Sequence, residues 1–531
     1  MVCDQDILPL EGFVRKNQIG WADLLFILSV LFGALVRFLP TIETGTPIND
    51  GGMFFVMIAD LRAAHFLLPA FTSYNNLRIP FAYPPLSFYV AGLVSLLGIS
   101  SFDVLRWLPP LVSTLSIFAF YWMACLMLNS RSKAALAVMI YALMPRLFSW
   151  YVMGGGLSRS FGLLFLLLAC ASSWALFTQR APKYLVLTAL FGAGAILSHP
   201  ETGLHTAAAC ALIWLFKGRT SRGLRDALLV TLGVILLTSP WWGTVLFQHG
   251  FAPFQSALST GGHNALFWLP WITFDFTEER FATILTVLGL IGFAVQSARR
   301  DWFLPVWVLV PFVVEPRSAT AIAAIPLAVL GGIALSDLVI PGIASLELRQ
   351  KLDAHDWMEA LAQGRVAKIA LSYVLFFALI GALIYDFSLT NYVVSPEDRS
   401  AMTWVASNTP TQSRFVVITG RPDPLNDPVV EWFPVYSLRT SQSTVQGREW
   451  LLGKGFLPFL GSLDGLQSCL NSAPSCVENW ASSDHLAFDY LYIQKPTKNN
   501  PTSGLLLYLL RGSPDYTLVF ENNSAAIFAR K

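Results

Sequence analysis

The sequence predicts a polytopic α-helical membrane protein followed by a small α/β domain. Three observations predict it. Of 531 residues, 54% are hydrophobic and only 13% are charged, against about 25% charged in a soluble domain. Apolar runs recur from about residue 21 to residue 386, each near the ~20 residues that cross a bilayer. After residue 387 the solid runs stop, Pro, Asn, Ser and Asp become common, and apolar and polar residues alternate. The formal net charge is +2, with no basic tail and no Cys/His finger spacing, so nucleic acid is not an expected partner.

Residues 1–20 are polar and carry Asp4, Asp6 and Glu11, so the first apolar stretch reads as a retained helix rather than a cleaved signal. Apolar spans run over 21–39, 83–98, 107–128, 133–149, 159–178, 183–199, 203–216, 226–245, 281–297, 302–314, 318–338 and 368–386. Basic clusters orient them. Arg131 with Lys133, Arg180 with Lys183, Lys217 to Arg225, Arg299 with Arg300, and Arg349 to Lys368 mark every second loop as cytoplasmic. The alternate loops hold His199 to Glu201, residues 246–280 and Glu315-Pro316-Arg317, and these face outward. The loop 40–82 after the first span also faces outward. One parity conflict remains in this scheme. Two spans after that loop place residue 130 outside, yet its charges place it inside. Either a crossing is hidden near Arg106 to Met127, where Pro109 and Pro110 break the run, or one segment is re-entrant. About 12 to 13 crossings are expected.

Residues 1–386 thus form the membrane domain and residues 387–531 an extracytoplasmic α/β domain. In the latter, Pro396 to Ala406 reads as a helix stopped by Asn408-Thr409-Pro410. Phe415 to Thr419, Ala487 to Ile493, Tyr516 to Glu521 and Ala525 to Phe528 read as strands. Cys469 and Cys476 lie seven apart in an outward loop, where a disulfide is expected. Cys3, Cys125, Cys170 and Cys210 make no metal-binding pattern. Gly154-Gly155-Gly156 lacks the strand–turn–helix setting of a phosphate loop, so no nucleotide is expected.

Charged groups at the outward helix ends are candidates for function, because burying them is costly. They are Asp50, Asp60, Arg62 and His65 in the first outer loop, Arg159, the His199-Pro200-Glu201 turn with His205, and Glu315 with Arg317. Tyr83 opens the next span. Such a set suits group transfer at a lipid phosphate. Arg317 and Arg159 would meet the phosphate. Asp50 would take the proton of an acceptor hydroxyl, with Glu201 as a second acid. Asp50 and Glu201 would also be the ligands of a divalent cation, Mg2+ or Mn2+. His199, Tyr83 and His65 would line the substrate site, and the amphipathic segment Met53 to Leu68 would lie on the membrane surface above it. Each residue also has a plainer role. Asp50 suits the N-cap of the helix that follows, Arg159 a snorkelling position, the His199 turn a polar hairpin, and Arg317 an interfacial anchor. Asp275, Glu278 and Glu279 read as a solvated loop.

The order of these features resembles the integral-membrane glycosyltransferases of the C-type fold. That superfamily includes protein O-mannosyltransferases, the lipid A aminoarabinose transferase and the catalytic subunit of oligosaccharyltransferase. The resemblance is carried by Asn49-Asp50-Gly51 in the first outer loop, Tyr83-Pro84-Pro85-Leu86, Leu105-Arg106-Trp107-Leu108-Pro109, and Pro316-Arg317 before an apolar run containing Pro326. It implies a GT-C-like bundle in a prokaryotic cytoplasmic membrane and a polyprenyl-phosphate-linked sugar donor. It also implies an extracytoplasmic acceptor (glycan, lipid or protein), transfer with inversion, and Arg317 on the lipid phosphate. Many relatives carry a second acid in the outer loop where this chain reads Met153-Gly154-Gly155-Gly156-Leu157-Ser158-Arg159-Ser160. Glu431-Trp432-Phe433-Pro434 and Gln446-Gly447-Arg448-Glu449-Trp450 resemble a bacterial or archaeal branch. There Glu431, Arg439 and Glu449 are candidates to place the acceptor. Two other classes compete. A lipid-linked glycan flippase or transporter would show interrupted helices in matching halves, with sites near mid-membrane. A non-catalytic envelope protein would use the outer domain to bind glycan.

Overall fold

The computed structural model describes residues 20–259, 269–280, 282–349, 357–496 and 504–531. Cys3, the polar N-terminal stretch and Lys351 lie outside the described residues. Helices α1 (Trp21–Thr44), α4 (Ser101–Leu128), α6 (Gly156–Gln179), α9 (Ser221–His249), α13 (Ala319–Leu348) and α14 (Arg365–Leu389) are each long and apolar enough to cross a membrane. Helix α5 (Arg131–Leu143) bends by 85° into a short segment, Pro145–Val152, and together they also suffice. Helices α7 (Pro182–Ser198), α8 (Pro200–Lys217), α11 (Ile284–Ala298) and α12 (Phe303–Val314) complete the bundle, and a short helix, α10 (Ala252–Ser259), follows α9. Helix α13 carries a π-helical turn at Leu335–Val339.

Two helices before α4 stay at one end of the bundle. These are α2 (Gly52–Ala63) and α3 (Leu86–Leu96), linked through a small antiparallel pair, β1 (Phe71–Thr72) with β2 (Ile79–Pro80). Helix α4 begins beside the C-terminal end of α1. The Arg106 guanidinium donates to the Thr41 carbonyl at 3.2 Å, and Phe38 stacks with Trp107 at 6.3 Å. Further along, Phe26 of α1 meets Tyr121 of α4 at 4.2 Å. The two helices are therefore antiparallel, and α4 starts where α1 ends. This resolves the parity conflict. The segment read as a span over 83–98 does not traverse the bundle, because both of its ends lie at the end where α1 finishes. Among the described residues this apolar run is therefore not read as a crossing.

With α3 set aside, the charge alternation closes without exception. The turns at residues 129–131, 180–182, 218–221, 299–302 and 349 lie at one basic end. Asp337 on α13 ties that end together, accepting Lys133 at 2.7 Å and Arg299 at 2.6 Å. Near the opposite end the fully buried Arg37 of α1 donates to Ser113 on α4 at 2.9 Å and to the Ala142 carbonyl of α5 at 2.8 Å. A buried guanidinium is tolerated only when its donors are so matched, and here the matching fixes three helices together. Helices α9 and α14 turn rows of Leu and Ile outward, Leu228, Leu232, Leu236 and Ile369 among them, as lipid-facing helices do.

After α14 the chain forms a compact α/β domain on the end opposite the basic one. Its five-stranded sheet has the order β4-β3-β5-β7-β6, with β3 at Arg414–Ile418, β4 at Thr440–Ser441, β5 at Tyr490–Gln494, β6 at Tyr516–Glu521 and β7 at Ala525–Arg530. Strand β3 pairs in parallel with β4 and β5, while β7 runs antiparallel to β5 and β6. One face is covered by α15 (Pro396–Asn408) and α16 (Pro428–Ser437) toward the bundle. The other is covered by α17 (Phe456–Ser468) and α18 (Ser475–Ser483). The Cys469–Cys476 disulfide joins the end of α17 to α18.

Candidate active site

A cavity of about 950 Å³ lies between the end of the bundle opposite the basic one and the α/β domain. Asp50, Tyr83, Arg159, His199, Glu201 and Arg317 all line it, as do Glu431 and Glu449 from the domain. The structure brings these expected residues together. His65 is elsewhere, exposed in a left-handed turn after α2 with φ 53°. Arg439 is not at the cavity either. It is buried, and donates to the Ala406 carbonyl at 2.8 Å and the Thr409 carbonyl at 2.6 Å. Its site is the C-terminal end of α15, where free carbonyls need donors.

Asp50 occupies the link between α1 and α2. Its Oδ1 accepts the Gly155 N–H at 2.8 Å and its Oδ2 accepts Arg159 Nη2 at 2.9 Å. The carboxylate therefore sits on the triple-glycine loop, and the loop is shaped to receive it. A Cβ on Gly155 would lie 2.2 Å from Asp50 Oδ2, well inside van der Waals contact. On the other side Gly51 has φ +116°, a conformation that glycine adopts without penalty. The backbone pairing is continued by the Gly154 N–H, which donates to the Ile48 carbonyl at 2.9 Å. Arg159 also rests over the Trp150 ring at 5.3 Å.

Asp50 does not cap α2, although its position in the sequence suits that role. The cap comes from the α/β domain: Glu431 Oε1 accepts the Gly51 N–H at 2.8 Å. Burial, then the nearby Asp50 charge, push the Glu431 carboxyl up to about 8. Burial likewise raises Glu449.

The other wall is built from helix ends. His199 caps α8, its Nδ1 accepting the Thr202 N–H at 3.3 Å. Burial, then Arg159 and Arg317, lower it to about 3, so the ring is neutral at ordinary pH. Tyr83 lies 6.4 Å from His199, ring to ring, and its hydroxyl shares a hydrogen bond with Ser158 at 3.1 Å. Glu315 caps α13, accepting the N–H groups of Ser318 at 2.9 Å and Arg317 at 3.0 Å. Burial opposes its ionisation, but hydrogen bonds from His205, Ser318 and Arg317 outweigh this and hold it at about 2. The Arg317 side chain is half exposed to the cavity and meets Glu201 at 3.6 Å.

Two features were not legible as site residues in the sequence. Arg146 lines the cavity and pairs with Glu278 at 2.7 Å. Glu278 is therefore held against the bundle rather than in a solvated loop, and also accepts the Tyr385 hydroxyl at 3.2 Å. Glu279 caps α11 through the Leu285 N–H at 3.0 Å, so only Asp275 keeps the exposed character expected of all three. The available signal was Pro145-Arg146, a cation ending an apolar run at this same end of the bundle.

Asp50 and Glu201, the expected cation ligands, each face an arginine: Arg159 at 2.9 Å and Arg317 at 3.6 Å. Among the described residues no group of three His, Cys, Asp or Glu side chains is arranged to hold a metal ion.

The family model described as dolichyl-phosphate-mannose-protein mannosyltransferase matches residues 82–243, from the loop before α3 to within α9. No curated protein is a significant match. Among solved structures, ArnT from Cupriavidus metallidurans in the apo state superposes with a TM-score of 0.53 at 13% identity, covering 95% of this chain and 97% of that one. The same protein bound to undecaprenyl phosphate gives a TM-score of 0.51 at 13% identity, with the same coverage. At that identity the likeness is one of fold. The chain has the C-type fold of integral-membrane glycosyltransferases, with the α/β domain included in the match.

Proposed function

We propose that this protein is an inverting glycosyltransferase that moves a sugar from a polyprenyl-phosphate donor to an acceptor hydroxyl. The carrying observation is the convergence of Asp50 and Arg317 on one cavity at one end of a C-type-fold bundle. The basic turns at the far end favour a cytoplasmic position for that end. On this reading the cavity and the α/β domain lie outside a prokaryotic cytoplasmic membrane. A donor lipid then keeps its tail in the bilayer and its phosphate at the cavity mouth. A protein of the same fold was solved with undecaprenyl phosphate, which supports this donor class.

The chemistry follows from the groups present. The acceptor oxygen attacks the anomeric carbon from the face opposite the phosphate. The new C–O bond forms as the bond to phosphate oxygen breaks, and that electron pair leaves with the lipid phosphate. Asp50 receives the acceptor proton. The Gly155 N–H and Arg159 hold its carboxylate in one orientation, which is where much of the rate advantage of such a base arises. Arg317 meets the leaving phosphate, a bidentate partner for a guanidinium. Glu201 is its resting counter-ion, released when phosphate arrives. The clustering of polar groups at one end, rather than at mid-membrane, favours transfer over transport.

The test is reconstitution in liposomes with a panel of polyprenyl-phosphate sugars and with glycan, lipid and peptide acceptors, with and without EDTA. Release of polyprenyl phosphate coupled to acceptor modification is expected, and the EDTA arm reads the part a divalent cation plays. Movement of intact donor across the bilayer without transfer identifies a flippase instead.

A further inference from the structure

The α/β domain does more at the cavity than close it. Three of its residues grip the three residues centred on Asp50. Trp432 Nε1 donates to the Asn49 carbonyl at 3.0 Å. Asn49 Nδ2 donates to Asn426 Oδ1 at 3.0 Å. Glu431 accepts the Gly51 N–H at 2.8 Å. The grip is tight: a Cβ on Gly52 would lie 2.9 Å from the Glu431 carbonyl oxygen. That oxygen is itself fixed by the Tyr74 hydroxyl at 2.7 Å.

The position of Glu431 has a consequence for Asp50. Helix α2 begins at Gly52 with a glycine at its N-cap, so no side chain of the cap residue serves the first free N–H groups. An aspartate one residue further back is the kind of group such a helix end attracts. Left alone, the Asp50 carboxylate has two competing homes, the start of α2 and the Gly155–Arg159 cradle. Glu431 occupies the first. It is almost fully buried and accepts the Gly51 N–H at 2.8 Å; the nearby Gly52 and Met53 N–H groups favour its ionised form, against burial and the Asp50 charge.

We propose that Glu431 is a positioning residue for Asp50: by taking the amide groups that open α2, it leaves the Asp50 carboxylate to Gly155 and Arg159. This rests on Asp50 serving as the base of the transfer. Near neutral pH Glu431 carries a proton and accepts through its carbonyl oxygen. Glutamine is therefore its close mimic, and alanine is not.

The experiment compares purified Glu431→Gln and Glu431→Ala with wild type, and repeats Glu431→Ala in an Asp50→Asn background. Misplacing a base by about 1 Å costs up to roughly 100-fold. Glu431→Ala is therefore expected to lower kcat by about 10- to 100-fold with little change in donor KM, and Glu431→Gln to stay within about threefold of wild type. In the Asp50→Asn background the further loss is expected to be under about twofold, because the group being positioned is gone. Full kcat in Glu431→Ala, equal damage from Gln and Ala, or equal losses in both backgrounds overturns the proposal. Should the alanine variant not fold, Glu431→Asp withdraws the carboxyl by one methylene and is read in the same way. A cryo-EM map of the variant reads positioning without any turnover. Asp50 turned onto the Gly51–Met53 amides is the expected result, and Asp50 still on Gly155 and Arg159 overturns it. A donor panel that yields no transfer with wild type would contradict the glycosyltransferase reading and leave this map to decide the positioning role by itself.

Discussion

Arg159 donates to the Asp50 carboxylate across 2.9 Å, and the glycine loop just before Arg159 is what lets the two meet. The loop supplies the second donor as well, the Gly155 N–H on Oδ1. Any side chain at 155 would stand where the carboxylate stands, with a Cβ 2.2 Å from Oδ2.

Gly155→Ala is therefore expected to displace Asp50 without disrupting the bundle. Transfer should fall by roughly 10- to 100-fold, while melting temperature and polyprenyl-phosphate binding stay near wild type. Steady-state kinetics beside a thermal melt checks this. A fully active Gly155→Ala variant would mean that the cradle does not set the position of the base.

Arg317 and Glu201 should behave as a donor-phosphate site and its counter-ion. Arg317→Ala is expected to weaken donor binding by at least about 10-fold, and Arg317→Lys to recover only part, since ammonium cannot make the bidentate contact. Glu201→Gln removes the competitor at 3.6 Å and should tighten binding of free polyprenyl phosphate. Titration with the lipid phosphate measures both. Weaker binding in Glu201→Gln would place that carboxylate in a different role.

How much of this was legible in the sequence depended on where the partners lie along the chain. The polar groups at one end could be sorted from the basic turns at the other, because charge asymmetry across a membrane is written locally. Asp50 and Arg317 stood out for that reason. What holds Asp50 did not. Gly155 contributes only an N–H, which no residue type advertises, and Glu431 lies 380 residues from the amide it caps. Arg146 and Glu278 likewise meet only in the fold. The apolar segment 83–98 was misleading for a different reason. An apolar helix that stays at one end of the bundle and one that crosses it read alike in the sequence, and the contact of Arg106 with Thr41 separates them.

Glu431 should leave a signature in stability against pH. Its value lies at about 8 in the fold against 4.5 ordinarily. A carboxyl raised by folding favours the fold while it is protonated. Its contribution is full below pH 4.5, declines as pH rises, and is gone above about pH 8. The melting temperature of wild type relative to Glu431→Gln is expected to fall across that window. A constant difference from pH 4 to 9 would contradict the burial described for this carboxyl.

The Cys469–Cys476 link closes a short loop, seven apart in sequence. Its loss through Cys469→Ser with Cys476→Ser is expected to cost roughly 2–3 kcal/mol. The cost should fall on the α/β domain, seen as faster proteolysis there than in the bundle. Equal resistance of the domain in both proteins would mean the α17–α18 packing suffices without the link.

The most direct test of the central claim is the initial rate of sugar transfer from a polyprenyl-phosphate donor by wild type and by Asp50→Asn, side by side in liposomes. A base of this kind contributes about 100- to 10,000-fold. A loss of that size with polyprenyl-phosphate binding retained is expected. Transfer by Asp50→Asn at the wild-type rate would contradict it.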